Sequence, residues 1–179
     1  SNMDFTYSRA NNPTRKLLED NLAILENANY GLTFSSGSAA LTCVTHLLEE
    51  DEEILTCDDL YGGSKRYFNN VLKNEVNYID FSKYTLQNIE DLFKSKTLSK
   101  IKIVFIETPT NPTMKIIPFK NLGNLCKKYN KILIVDNTFL TPIFQNPLDY
   151  NADIVLHSCS KYLGGHSDII MGALMMNNK

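Results

Sequence analysis

Lys161 sits in the stretch HSCSKYLGGHSD (157–168), directly after the apolar run Ile154-Val155-Leu156. An ammonium group next to a strand that reads as buried carries a desolvation cost, so it is expected to be paired or reacting. A lysine in that position is a candidate for Schiff-base chemistry. Ser158 and Ser160 flank it and are natural donors to a phosphate. A second phosphate signal is Ser35-Ser36-Gly37-Ser38, followed by Ala39-Ala40-Leu41 opening a helix. Free backbone N–H groups and the positive end of the helix dipole suit an anion there, although a plain N-cap gives the same pattern. No GxxxxGK[ST] loop occurs. Asp136 closes the run 131–135. It reads either as a structural cap or as a carboxylate holding a cationic ring nitrogen. Asn111 lies in ETPTNP, a turn bracketed by Pro109 and Pro112 that either presents its amide to a ligand or is simply stiff. His157, Cys159 and His166 lack the spacing of a metal site, and no metal is expected.

Each of these groups follows an apolar run, and the runs must position them. Apolar runs occur at 31–34, 53–56, 75–79, 101–106, 131–135, 153–156 and 169–176. Helix-like stretches lie among them at 13–27, 38–49, 63–72, 86–95 and 119–129. In the first helix Pro13 falls in the opening turn, and Leu18, Leu22 and Leu25 share one stripe. Continuous apolar strands separated by helices indicate an α/β fold, a mostly parallel seven-stranded sheet in a three-layer α/β/α sandwich. Ligands of such sheets bind at the carboxyl ends of the strands, where the residues above fall. No repeat, low-complexity tract or linker interrupts the pattern.

Bulk properties narrow the partners. A net charge of -2 gives no support for binding nucleic acid or an anionic membrane surface. No apolar run approaches the roughly 18 residues that span a bilayer. Cys43, Cys57, Cys126 and Cys159 have no CxxC spacing and read as reduced thiols of a cytoplasmic protein. Ser1-Asn2-Met3 reads as a tag remnant.

Taken together, YSRANNPT (7–14), SSGSAAL (35–41), DDLYGGSKRYF (58–68), ETPTNP (107–112), VDNTF (135–139) with Thr141-Pro142, and HSCSKYLGGHSD (157–168) resemble one family. It is the Cys/Met-metabolism, or trans-sulfuration, branch of the fold-type I enzymes dependent on pyridoxal phosphate (PLP). The likeness runs from Tyr7 to about Gly172 in the family's order and spacing. It implies the large domain of fold type I, PLP as cofactor and a small amino-acid substrate. It also implies cleavage or formation of the C–S bond of cystathionine or a related compound, by β/γ-elimination or γ-replacement. The branch contains cystathionine γ-synthase, the γ- and β-lyases, methionine γ-lyase and the O-acylhomoserine sulfhydrylases.

Roles follow from the resemblance position by position. Lys161 would hold the cofactor, and Ser36, Gly37 and Ser38, helped by Ser158 and Ser160, would bind its phosphate. Asp136 would pair with the pyridine nitrogen and Asn111 with the phenolic oxygen. Tyr61 would stack on the ring and assist proton transfer, making Lys161 and Tyr61 the catalytic pair. Tyr7 and Arg9 would reach a neighbouring subunit's phosphate, which implies a homodimer with shared sites and a tetramer built as a dimer of dimers. Some positions depart from the pattern. Ser38 stands where many relatives have methionine, and Gly63 where methionine γ-lyases usually carry cysteine; YGGSKRYF looks closest to cystathionine γ-lyases and γ-synthases. Family chains are about twice as long, so residues 1–12 are expected to be an N-terminal arm and 13–179 an incomplete PLP-binding large domain. The C-terminal small domain, with its arginine for the substrate carboxylate, would be absent; the resemblance implies an enzyme or its cofactor domain, the alternative being a piece that binds PLP without being catalytically competent.

Overall fold

The computed structural model describes residues 7–95 and 98–178. The expected tag remnant at 1–3, the arm as far as residue 6 and the expected end of the large domain at 179 lie outside them.

Helix α1 (Pro13–Leu25) begins where Asn12 accepts hydrogen bonds from the Thr14 and Arg15 amides, with Pro13 at the position whose missing N–H costs nothing. It ends two residues short of the expected boundary, because Asn27 turns into the left-handed region at φ 56°. Strand β1 (Tyr30–Phe34) lies so close beneath it that a Cβ on Gly31 would sit 2.3 Å from the Glu19 carbonyl oxygen. The expected stripe is only partly used. Leu22 is buried, but Leu18 and Leu25 are exposed, because α1 covers the β1 edge of the sheet rather than its middle.

The chain continues through α2 (Gly37–Thr45), β2 (Glu53–Cys57), α3 (Gly62–Asn70), β3 (Val76–Ile79), α4 (Leu86–Lys94) and β4 (Ile101–Glu107). Then come α5 (Lys120–Lys128), β5 (Ile132–Asp136), the single turn α6 (Thr141–Phe144), β6 (Ile154–Ser158) and β7 (Gly172–Met176). The seven strands form one sheet in the order β1-β7-β6-β5-β4-β2-β3. All run parallel except β7, which is antiparallel to both its neighbours. Helices α2 and α3 pack against one another, as do α4 and α5, on opposite faces of the sheet, giving the three layers.

Inner strands β2 and β4 are almost wholly buried, whereas the edge strands β1 and β3 are only partly so. Phe68 meets Phe105 edge to face at 5.6 Å in the core beneath α3. The run 169–176 becomes a strand only from Gly172, and Ile169 and Ile170 stay exposed. Gly172 is where β7 first finds pairing partners, Phe34 on one side and Ser158 on the other.

Candidate active site

The carboxyl ends of β1, β2, β4, β5 and β6 open onto one cavity of about 340 Å³. Nine of the eleven expected site residues line it: Ser36, Gly37, Ser38, Tyr61, Asn111, Asp136, Ser158, Ser160 and Lys161.

One wall is the N-terminus of α2. Ser36 caps it, its hydroxyl accepting from the Ala39 amide at 3.0 Å. The Gly37 and Ser38 amides lie in the first turn, which has no intrahelical acceptor to offer them, so they are available to an anion. The fit around this turn is close. A Cβ on Gly37 would meet Ser158 Cβ at 3.0 Å, and one on Gly172 would lie 2.2 Å from the Ser36 carbonyl oxygen. Ser158 therefore stands beside the helix end, as a second phosphate donor should. Ser160 also lines the cavity, but its hydroxyl already accepts from the Met171 amide at 3.0 Å.

Asp136, the last residue of β5, forms the floor. Burial pushes its carboxyl upward, while two donors from Thr138, the amide at 3.0 Å and the hydroxyl at 2.5 Å, pull the other way. The Thr138 hydroxyl oxygen accepts from the Ser158 amide at 2.9 Å, so one threonine locks the ends of β5 and β6 together. Thr138 was not singled out in the sequence; a threonine two residues after a strand-terminal aspartate is the turn signal that could have marked it.

Glu107 is the other residue the sequence reading passed over. It pairs in register with Asp136 across β4 and β5, lines the cavity and is 6% exposed. Burial, then the neighbouring Asp136 charge, raises its carboxyl to about 8. Its Oε2 accepts the Tyr61 amide at 3.0 Å, which fixes the residue that opens α3. The Tyr61 ring is half exposed on the cavity wall, and Gly63 makes room for it: a Cβ there would come within 2.4 Å of Tyr61 Cε1. The Asn111 turn is held from below by Asp59, which accepts from the Thr110 hydroxyl and from the Thr113 amide and hydroxyl.

One expectation changes. Lys161 is exposed rather than buried: β6 ends at Ser158, and the lysine follows in a turn closed by its amide on the Ser158 carbonyl at 3.1 Å. It stands at the cavity rim, with no carboxylate partner among the described residues. Tyr7 and Arg9 lie outside the cavity of their own chain, with the Arg9 guanidinium 4.8 Å from the Tyr7 ring centroid. The arm is also better anchored than its polar sequence suggests, because Arg15 donates to the carbonyls of Arg9 and Ala10.

These groups fit pyridoxal phosphate: amides and hydroxyls for its phosphate, a floor carboxylate for a ring cation, an aromatic wall and a primary amine at the rim. Comparison with known proteins agrees. The sequence model described as "Cys/Met metabolism PLP-dependent enzyme" matches residues 1–179. Cystathionine gamma-lyase of Dictyostelium discoideum is 47% identical over 178 residues, covering 98% of this chain and 44% of that protein. Cystathionine gamma-synthase/O-acetylhomoserine (thiol)-lyase of Bacillus subtilis is 44% identical, covering 98% and 46%. The crystal structure of cystathionine gamma-lyase from Lactobacillus plantarum complexed with L-serine superposes with a TM-score of 0.89 at 38% identity, over 96% of this chain and 44% of that one. The chain thus spans less than half the length of these relatives.

Proposed function

The chain belongs to the Cys/Met metabolism family of PLP-dependent enzymes, and from that premise we propose that it carries the cofactor site of an enzyme that cleaves or forms the C–S bond of cystathionine or a related amino acid. The observation that carries this reading is the convergence of nine family-motif residues, from five separate strand ends, on one cavity. The γ-lyase or γ-synthase chemistry is preferred because of the names of the similar proteins and because Gly63 leaves no thiol beside Tyr61.

In this reading the α2 amides at Gly37 and Ser38, with the Ser36 and Ser158 hydroxyls, anchor the phosphate and set the depth of the cofactor. Asp136 holds a proton on the ring nitrogen, and Thr138 keeps its carboxylate aimed. Asn111 orients the ring through its phenolic oxygen, and Tyr61 covers one face. PLP, when bound, supplies a conjugated, electron-withdrawing ring that stabilises negative charge at the substrate's α-carbon. Lys161 Nζ would hold the cofactor, and Lys161 and Tyr61 Oη, both on the cavity wall, would be the groups able to carry a proton there. Tyr7 and Arg9 serve a neighbouring copy's phosphate, in a homodimer or a tetramer of paired dimers. Residues 1–12 are then an arm and 13–179 part of the large domain. None of the described helices is long and apolar enough to cross a membrane, and the reading places the enzyme in the cytoplasm.

The test uses the chain itself. Added PLP should give an absorbance band that borohydride fixes as a covalent adduct on Lys161, located by mass spectrometry. A cystathionine turnover assay then separates a competent enzyme from a part that only holds the cofactor. Failure to trap PLP on Lys161 overturns the reading.

A further inference from the structure

Two loops carry Tyr61 and Asn111 to the cavity: 58–61, which follows β2, and 108–115, which follows β4. Neither side chain is held by a hydrogen bond of its own. Among the described residues the Tyr61 hydroxyl and the Asn111 amide group have no such partner. Tyr61 also opens α3 without giving that helix a side-chain cap. The two side chains are therefore placed by the backbones of their loops.

Those backbones are held by an exchange of carboxylates. Asp59, in the first loop, reaches into the second. Its Oδ2 accepts from the Thr110 hydroxyl at 2.5 Å, from the Thr113 amide at 3.0 Å and from the Thr113 hydroxyl. Asn111 lies between the two threonines that this one oxygen grips. Glu107, at the end of β4, reaches back the other way, and its Oε2 accepts the Tyr61 amide at 3.0 Å. Within the second loop the Thr110 amide donates to the Lys115 carbonyl at 3.0 Å and the Lys115 amide to the Thr110 hydroxyl at 2.9 Å. The Thr110 hydroxyl thus closes its own loop and ties that loop to Asp59. On the outside, Lys115 Nζ donates to Asp58 at 3.2 and 3.3 Å and pairs with Asp80 at 3.0 Å, but this partly exposed pairing is the weaker support. Glu107 is 6% exposed, so water cannot replace it at the Tyr61 amide unless the loops part.

We propose that Asp59 and Glu107 form a reciprocal latch that joins the two loops into one rigid unit, so that both are positioning residues, setting the Tyr61 ring and the Asn111 amide as a single fixed pair. This rests on the reading of Tyr61 and Asn111 given above. Each loop is held by a side chain of the other, so opening either half frees both walls. The cofactor then meets one prearranged slot, and the cost of ordering two loops is not met at binding.

The test begins without cofactor. Thr113→Ala removes donors from an exposed residue whose bonds to the Tyr61 loop run through Asp59 alone. In the chain alone, the 13C-labelled Tyr61 ring resonance should shift or broaden in that variant, and an unchanged resonance overturns the proposal. PLP binding follows. Asp59→Ala and Glu107→Leu each remove an acceptor and should each weaken it about tenfold. The double variant should also lose about tenfold, because the second change acts on loops already released. A loss of about a hundredfold in the double variant shows two independent supports and overturns the latch. Asp59→Asn and Glu107→Gln keep an acceptor and should bind PLP within about threefold of the unmodified chain; losses as large as those of the Ala and Leu variants also overturn it. If Asp59→Ala or Glu107→Leu does not fold, the Tyr61 resonance in Thr113→Ala and the two conservative variants decide. Failure of the unmodified chain to bind PLP overturns the cofactor reading instead, and leaves that resonance to judge the latch.

Discussion

Replacing Glu107 by glutamine should make the protein more stable at high pH than the unmodified chain, and the gain should grow with pH. The glutamine carbonyl can still accept the Tyr61 amide, so the change removes the titration and little else. In the folded protein burial and the Asp136 charge hold the Glu107 carboxyl at about 8, against an ordinary value of 4.5. Between those two values the native state keeps a proton that the unfolded chain has lost. Stability from this group is therefore fully present below pH 4.5 and is lost as pH rises through about 8. The slope is about 1.4 kcal/mol per pH unit, which sets a ceiling of about 4 kcal/mol between pH 5 and 8. Urea unfolding followed by circular dichroism, on both proteins at pH 5, 6, 7 and 8, measures it. The two stability curves should nearly coincide at pH 5 and separate by about 2–4 kcal/mol at pH 8. Curves that stay parallel across the range would refute the argument that Glu107 is buried and protonated.

Lys161→Ala should abolish borohydride-trappable attachment of PLP while changing stability by no more than about 0.5 kcal/mol, as expected for an exposed side chain without an ion-pair partner; chemical denaturation and mass spectrometry read the two effects. Gly172→Ala drives a Cβ against the Ser36 carbonyl and should cost about 1–3 kcal/mol in urea unfolding while weakening PLP binding, because the α2 terminus must back away. Thiol titration of the folded chain should count about one fast cysteine, the exposed Cys43, and Cys43→Ser should remove it. Burial pushes Cys57 and Cys126 up to about 12 and Cys159 up to about 11, so they stay thiols at neutral pH. In the full-length enzyme, mixing Arg9→Ala with Lys161→Ala subunits should restore part of the activity, since one site in each mixed dimer combines an intact arm with an intact lysine; subunits that exchange without complementing would rule out the shared site.

Much of this arrangement is legible before any coordinates. All seven apolar runs become strands, because a short run bounded by turn residues has few other ways to hide its side chains. Lys161, Asp136 and the Ser36-Gly37-Ser38 turn could be found because each directly follows such a run. What stayed hidden depends on partners distant in sequence. An apolar run carries no direction, so nothing in 169–176 says that β7 runs antiparallel between β1 and β6. Glu107 and Asp136 look alike as strand-terminal carboxylates, and only the register between β4 and β5 shows that they share one site. Glu26 reads as an ordinary helix-end charge, because the histidine that meets it lies 131 residues away. The exposure of Lys161 was misjudged for a local reason: the run before it is buried, but three residues of turn suffice to carry a side chain to the rim.

The position of β7 has a consequence for the order of events during synthesis. Strand β1 has no other neighbour in the sheet, and its first residue, Tyr30, waits for Met176. The β1 end and α2 are made early on the ribosome, yet their seat against Ser158 closes only when Gly172 arrives between them. Until then β6 presents an open edge and α1 has a single strand beneath it. Pairings this distant in sequence slow folding and prolong the exposure of apolar strand edges to other chains. The nascent protein is accordingly expected to expose apolar strand edges longest in the interval between emergence of β1 and emergence of β7, and the N-terminal turn of α2 is among the last parts to seat.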